Sequence, residues 1–294
     1  MIKSIITDQI CMDLNEALTL AKSLGYSFIE LHGVWGKTIE ECDEAEVEQI
    51  KVLLKHHHLK VSNLATTVFF MCKLKEDYVL KSFKQSFVVT SAASISDHLL
   101  ALEKACRIAE KLDCPNIRIF PFRYPENHTL VGTEEDLELI AQVFSKAVKI
   151  AEHYKVTLIV ENCPYSHCPK PLMTLKLIQK VNHPQLKLLY DPGNSYRADI
   201  QRVPNEYLKT SVSEELEIIH DQINHMHLKN YKFDPTCEKP FIHTSLNKGD
   251  LDYRKIIKQL NKYEYKQALS LEPEVSREDV IDSMKALNQL LLED

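Results

Sequence analysis

Four short segments end in side chains that can hold a cation or move a proton. Thr157-Leu158-Ile159-Val160 runs into Glu161-Asn162, and Leu186-Lys187-Leu188-Leu189-Tyr190 runs into Asp191-Pro192-Gly193-Asn194. Ile223-Asn224-His225-Met226 delivers His227-Leu228-Lys229-Asn230, and Ala268-Leu269-Ser270-Leu271 ends in Glu272-Pro273-Glu274. Each segment is apolar and of strand length, so the pattern predicts four strands that close on ionisable groups. Alternation fixes their direction: His225, His227 and Lys229 share one face while Met226 and Leu228 share the other. Ser270 and Glu272 likewise oppose Leu269 and Leu271. Lone carboxylates gathered at one mouth are costly to bury. A divalent cation removes that cost, and three carboxylates with one imidazole suit Mn²⁺, Mg²⁺, Co²⁺ or Zn²⁺ with positions left open for substrate. The expected ligands are Glu161, Asp191, His227 and Glu272. Three anionic ligands leave such a site negative even with the metal bound. That favours a neutral, hydroxyl-rich ligand, or a phosphate held off the metal by Lys or Arg.

The scaffold must bring four strand ends together. Apolar runs of strand length recur at Ser4–Thr7, Ser27–Leu31, Lys60–Leu64 and Asn116–Phe120 as well as at the four segments above. Helical periods follow each one, at Leu14–Leu24, Ile39–Lys55, His98–Leu112, Glu135–Tyr154, Leu172–Val181, Glu214–Ile219, Tyr253–Leu260 and Arg277–Leu291. Eight strand–helix units in 294 residues predict a single (β/α)8 barrel of the TIM type spanning 1–294, since a doubly wound sheet usually has fewer units. In such barrels the chemistry sits at the carboxyl ends of the strands. The long connection Thr66–Ser96, with Lys73, Lys75, Glu76, Lys81 and Lys84 among Phe69, Phe70, Tyr78, Phe83 and Phe87, leaves that face and is read as a lid or a helical insertion. The stretch from Phe233 to Asp250 is a second overhang.

Composition narrows the function classes. A formal net charge of −6 opposes salt-driven nucleic-acid binding. No apolar run approaches a membrane span. Met1-Ile2-Lys3-Ser4 leads straight into a strand without a signal-like segment. Eight cysteines lack paired CxxC elements, with Cys163 and Cys168 the nearest candidates, so reduced thiols in a cytoplasmic enzyme are expected.

The quoted strand ends, with Gly249-Asp250-Leu251-Asp252-Tyr253 and Phe28-Ile29-Glu30-Leu31, resemble the xylose isomerase-like barrel superfamily, and within it the sugar phosphate isomerase/epimerase group. The resemblance covers essentially the whole chain. It implies that Glu161, Asp191, His227 and Glu272 bind one metal, that Glu161 and Glu272 exchange protons with substrate, and that Glu30 is a recurring second-strand glutamate placed among the substrate contacts. It further implies a small sugar, keto acid or sugar phosphate as partner, and dimers or tetramers. Ketose 3-epimerases carry a histidine where this chain has Asn194. The apurinic endonuclease branch uses that histidine and an Asp-x-His pair, whereas His243 stands without one, so a trinuclear zinc site is not expected.

The expected reaction is isomerisation or epimerisation: proton removal next to a carbonyl, with a metal-stabilised enediolate and Glu161 and Glu272 as base and acid. An inosose-type dehydratase needs the same intermediate and is the alternative; a phosphodiesterase on abasic DNA is a more distant one. Asn162 and Asn194 are read as hydroxyl binders beside the metal. Lys229 is read either as a substrate contact or as a counter-charge to Asp191 or Glu272. Arg123 and His167 are candidate loop contacts, and His32 stands with them. His225, one layer below His227, is read as a core histidine.

Overall fold

The computed structural model describes residues 1–81 and 88–293. Eight parallel strands form the barrel: β1 (Ile2–Ile5), β2 (Phe28–Leu31), β3 (Lys60–Leu64), β4 (Asn116–Ile119), β5 (Thr157–Glu161), β6 (Leu186–Tyr190), β7 (Ile223–Leu228) and β8 (Ala268–Leu271). Their ladder runs β1-β8-β7-β6-β5-β4-β3-β2. A parallel bridge from Ile6 to Glu30 brings β1 and β2 together and nearly closes the ring.

The helices that wrap it are α1 (Leu14–Ser23), α2 (Glu44–His57), α3 (Ile95–Lys111), α4 (Glu134–Tyr154), α5 (Pro171–Val181), α6 (Val212–Ile219), α7 (Tyr253–Lys262) and α8 (Arg277–Leu290). Each turns an apolar stripe inward. On α4 that stripe is Leu137, Ile140, Ala141, Phe144, Ala147, Val148 and Ala151. Capping side chains set the starts: Ser94 takes the amide of Asp97, Thr133 that of Asp136 and Ser211 that of Glu214. The same chemistry explains the most displaced helix start. The helix expected from Ile39 starts at Glu44, because Thr38 and Asp43 each build a capping box, with Glu41 and Glu46. Two boxes in succession leave a single tight turn at Ile39–Glu41 and an extended Cys42 between them.

Above the carboxyl rim lie two overhangs. After β7 the chain folds into an antiparallel hairpin, Asn230–Phe233 paired with Phe241–Thr244. Asn230 anchors it by donating to the Leu246 and Leu251 carbonyls. The long segment after β3 begins packed: Phe69 is fully buried, stacks on Phe122 at 5.0 Å, and donates its amide to His98 Nδ1. Residues 82–87, with Phe83, Lys84 and Phe87 among them, lie outside the described residues. No helix among the described residues is long and apolar enough to cross a membrane.

Candidate metal centre

β5, β6, β7 and β8 are neighbours in the ladder, so their ends converge. The carboxylates of Glu161, Asp191 and Glu272 and the imidazole of His227 each offer a ligand atom, all within 4.8 Å of one another. His227 Nδ1 is 3.2 Å from Glu272 Oε2 and 3.4 Å from Glu161 Oε1, yet it is buried without a hydrogen bond. Asp191 Oδ2 is also buried and meets only the Lys229 ammonium, 3.1 Å away and without a well-directed hydrogen bond. Buried polar atoms are normally satisfied. Two unsatisfied atoms within a close set of three carboxylates and one imidazole fit a divalent cation.

The surroundings hold the set in shape. Asp191 caps the short helix Pro192–Tyr196 with Oδ1 on the Asn194 amide, which leaves Oδ2 for the centre. A side chain at Gly193 would meet Lys229 Cγ at 2.6 Å and its carbonyl at 2.9 Å, so only glycine lets this helix sit against β7. Behind His227, Glu30 Oε2 lies 3.2 Å from Nε2 while Oε1 contacts His225. An acid behind a ligand histidine fixes its ring orientation and raises its basicity. Burial pushes the Glu30 carboxyl up, but the two histidines outweigh it and hold the group well below the usual range.

Two cations enter the set from the protein itself. Arg118, third residue of β4, donates Nη1 to Glu161 Oε2 at 3.0 Å and to Glu272 Oε1 at 3.2 Å. Its Nε and Nη2 are tied to the Thr66 and Ala65 carbonyls. Lys229 Nζ reaches Glu272 at 2.5 Å and Glu274 at 3.0 Å besides Asp191. Burial raises Glu272, yet Lys229, His227 and Arg118 together hold it well below an ordinary glutamate. Asp191 goes the other way, pushed up to about 6 by burial against the pull of Lys229, with Glu161 and Glu272 adding repulsion. The centre is therefore far less negative than its ligands alone imply, which revises the charge argument made from sequence.

A family model described as xylose isomerase-like TIM barrel matches residues 18–290. The chain belongs to this family. No curated relative matches the sequence significantly. Among solved structures this xylose isomerase-like barrel resembles a D-allulose 3-epimerase from Methylomonas sp., with 12% identity and a TM-score of 0.73 over 99% of this chain and 98% of that one. It also resembles an IOLI protein with a bound zinc atom, with 15% identity and a TM-score of 0.70 over 100% and 99% of the two chains. A probable 3-DHS dehydratase from Bacillus anthracis gives 16% identity and a TM-score of 0.69 over 98% and 99%. At such identities the likeness is one of fold.

Over the centre of this xylose isomerase-like barrel opens a cavity of about 610 Å³. Glu161, Glu272, Asn194 and Lys229 line it. Asn194 also donates to Glu161 Oε1 at 2.9 Å, so it orients an acid as well as facing the space. Four other expected contacts are placed elsewhere. Glu30 lies beneath His227, fully buried. Asn162 spends its amide on the Asp191 backbone, donating to the carbonyl and accepting from the amide. His167 turns away to Asp136, Gly132 and the Tyr78 ring. Arg123 is buried and lies over the Tyr165 ring at 4.8 Å, outside the cavity wall. Lys229 is an ion-pair partner of Asp191 and Glu272 and also lines the cavity. His32, paired with Asp8 at 2.7 Å, does reach the cavity, as does His243 from the hairpin.

Arg118 and Arg197 also line the cavity and are the side chains there that sequence reasoning passed over. Arg118 carried a signal: a charged residue between Ile117 and Ile119 shares the inward face with Asn116. Arg197 carried none, because its side chain returns to the cavity from the far end of the Pro192–Tyr196 helix.

Proposed function

We propose that this protein is a divalent-metal-dependent isomerase or epimerase of a small hydroxy-carbonyl compound, a sugar, keto acid or sugar phosphate. The observation that carries the reading is the pair Glu161 and Glu272. They come from different strands, share the candidate metal centre with Asp191 and His227, and both face the same cavity. A divalent cation there supplies Lewis-acid stabilisation of the charge that develops on a substrate carbonyl oxygen.

The protein's own part is proton handling and exclusion of water. One glutamate takes the proton from the carbon next to the carbonyl. The partner returns a proton to the opposite face, or to the neighbouring carbon, so that epimerisation and isomerisation differ only in where it lands. Asn194 and Arg118 restrict the carboxylates to fixed rotamers, through Glu161 Oε1 and through an oxygen of each glutamate. Phe70, Phe120, Tyr165 and Phe241 give the cavity apolar walls.

The test is a panel of ketoses, keto acids and their phosphates with Mn²⁺-, Mg²⁺-, Co²⁺- or Zn²⁺-loaded protein in D₂O, followed by NMR. Deuterium should enter one carbon–hydrogen position, stop on chelation, and fall by at least about 10³-fold in Glu161→Gln and in Glu272→Gln. Turnover that survives both substitutions with metal still bound rules out the acid/base assignment. A dehydratase is the second reading, favoured by the 3-DHS dehydratase neighbour. It is recognised by a product lighter by one water, where isomerisation conserves mass.

A further inference from the structure

The cavity contains a guanidinium that the proposed proton chemistry does not use. Arg197 closes the short helix that Asp191 opens, so its backbone lies about 9 Å from that ligand along the helical rise. Its side chain turns back into the cavity wall. There it lies over the Tyr165 ring at 4.9 Å and the Tyr231 ring at 5.3 Å. Nη1 donates to the Tyr231 hydroxyl at 3.1 Å, and Nη2 donates to the Tyr165 hydroxyl. These neutral contacts hold the guanidinium plane in place and consume only two of its N–H groups.

No carboxylate lies within ion-pair distance of Arg197 among the described residues. The nearest acid able to compete, Glu274, is already 3.0 Å from Lys229 and 3.6 Å from His243. Arg118 and Lys229 differ in kind, because each is taken up by the acids of the centre. Charge balance points the same way. Four carboxylates line the cavity and Asp191 lies beneath it, against four lysines and arginines. A divalent cation tips that total to positive.

We infer that Arg197 is the anchor for an oxyanion on the substrate, a carboxylate or a phosphate ester, remote from the carbons that face Glu161 and Glu272. A fixed fork with spare donors suits either group, and charge-assisted bonds of this kind are the strong ones. The substrate class is then an acidic sugar derivative, rather than the neutral, hydroxyl-rich ligand that was the other option left open by the acid count. The inference deepens the proposed isomerase reading and, for turnover, rests on it; binding does not.

The experiment uses metal-loaded protein and matched pairs: D-ribulose with D-ribulose 5-phosphate, and L-sorbose with 5-keto-D-gluconate, which has the same configuration and a carboxylate in place of the terminal alcohol. Calorimetric titration reads affinity, and deuterium incorporation in D₂O reads turnover in the same samples. Wild type should bind the acidic member of at least one pair about tenfold tighter or better than its neutral partner, and the pair concerned tells phosphate from carboxylate. In Arg197→Met that ratio should collapse, and in Arg197→Lys, which keeps the charge without the fork, it should be partly restored. Circular dichroism confirms that both variants are folded. Equal affinities within both pairs, no binding of either acidic member, or a preference that survives in Arg197→Met overturns the anchor. Acidic preference without deuterium uptake sinks the isomerase reading alone and leaves the anchor standing.

Discussion

Deep in the barrel, towards the amino ends of the strands, Ser4 Oγ and Ser62 Oγ lie 2.7 Å apart. Asn116 donates to the Ser62 carbonyl at 2.9 Å and accepts from Asn224 at 2.7 Å. At the opposite rim Glu161, Asp191, Glu272 and His227 crowd together with Arg118 and Lys229, and buried atoms on His227 and Asp191 stay unsatisfied. Both regions are polar and buried. The floor is neutral and finds its hydrogen bonds within itself, which is the cheap way to bury polar groups. The rim is charged and incomplete, and on the proposed reading a cation and a substrate would finish it. Between the two lies a layer centred on Glu30, which is charged like the rim and meets His225 with one oxygen and His227 with the other, while His225 Nδ1 stays unsatisfied.

That middle layer gives the largest expected effect. Glu30→Ala removes the acid that faces both histidines and should lower stability by about 3–5 kcal/mol, as breaking a buried ion pair does. Metal affinity should also fall by roughly 10–100-fold, because His227 loses the group that orients it. Urea unfolding and a metal titration read the two effects. A variant with wild-type stability would mean that the layer belongs with neither region.

His98 sharpens the contrast between imidazoles. His227 is buried among acids, and although burial lowers its proton affinity, Glu272, Glu30 and Glu161 raise it well above that of an ordinary histidine. His98 is buried with only the nearby Asp97 to favour its charge, and burial lowers it to about 4 from 6.5. Its Nδ1 accepts the Phe69 amide, which requires a neutral ring. Between about 4 and 6.5 the unfolded chain binds the extra proton, so stability should rise with pH across that window by about 3 kcal/mol from this residue and level off above it. His98→Gln should flatten that part of a pH series of urea midpoints. An unchanged slope assigns the dependence to other groups.

The smallest effect belongs to the floor. Asn116→Ala should cost about 1–3 kcal/mol through the partners it leaves on Ser62 and Asn224, with metal affinity unchanged. A loss of metal binding there would show that floor and rim are not separable.

The rim was more legible in the sequence than its balance of charge. Strands end where apolar alternation stops, so Glu161, Asp191, His227 and Glu272 could be placed from their positions after Val160, Tyr190, Met226 and Leu271. Counter-charges are harder, because long side chains reach a site from elements that local patterns do not connect to it. Arg118 enters from β4 and Arg197 from the end of a helix, and without them three acids outweighed a bound metal in the count of charge. Loop contacts fared worst for a related reason. The positions of Arg123 and His167 after strands were readable, but Tyr165 and Asp136, which decide where those side chains turn, are not local to them in any periodic sense.

The hairpin after β7 has a consequence for how this barrel can change. Its root is pinned by Asn230, while its tip is closed by bonds within itself, Thr236 to Asp234 and the Asp234 amide to the Pro240 carbonyl. Glu238, Lys239 and Pro240 at that tip overlook the cavity. A flap that is rooted firmly and seals its own end can be rewritten as a cassette. New tips can alter which small molecules are admitted while the machinery beneath stays as it is.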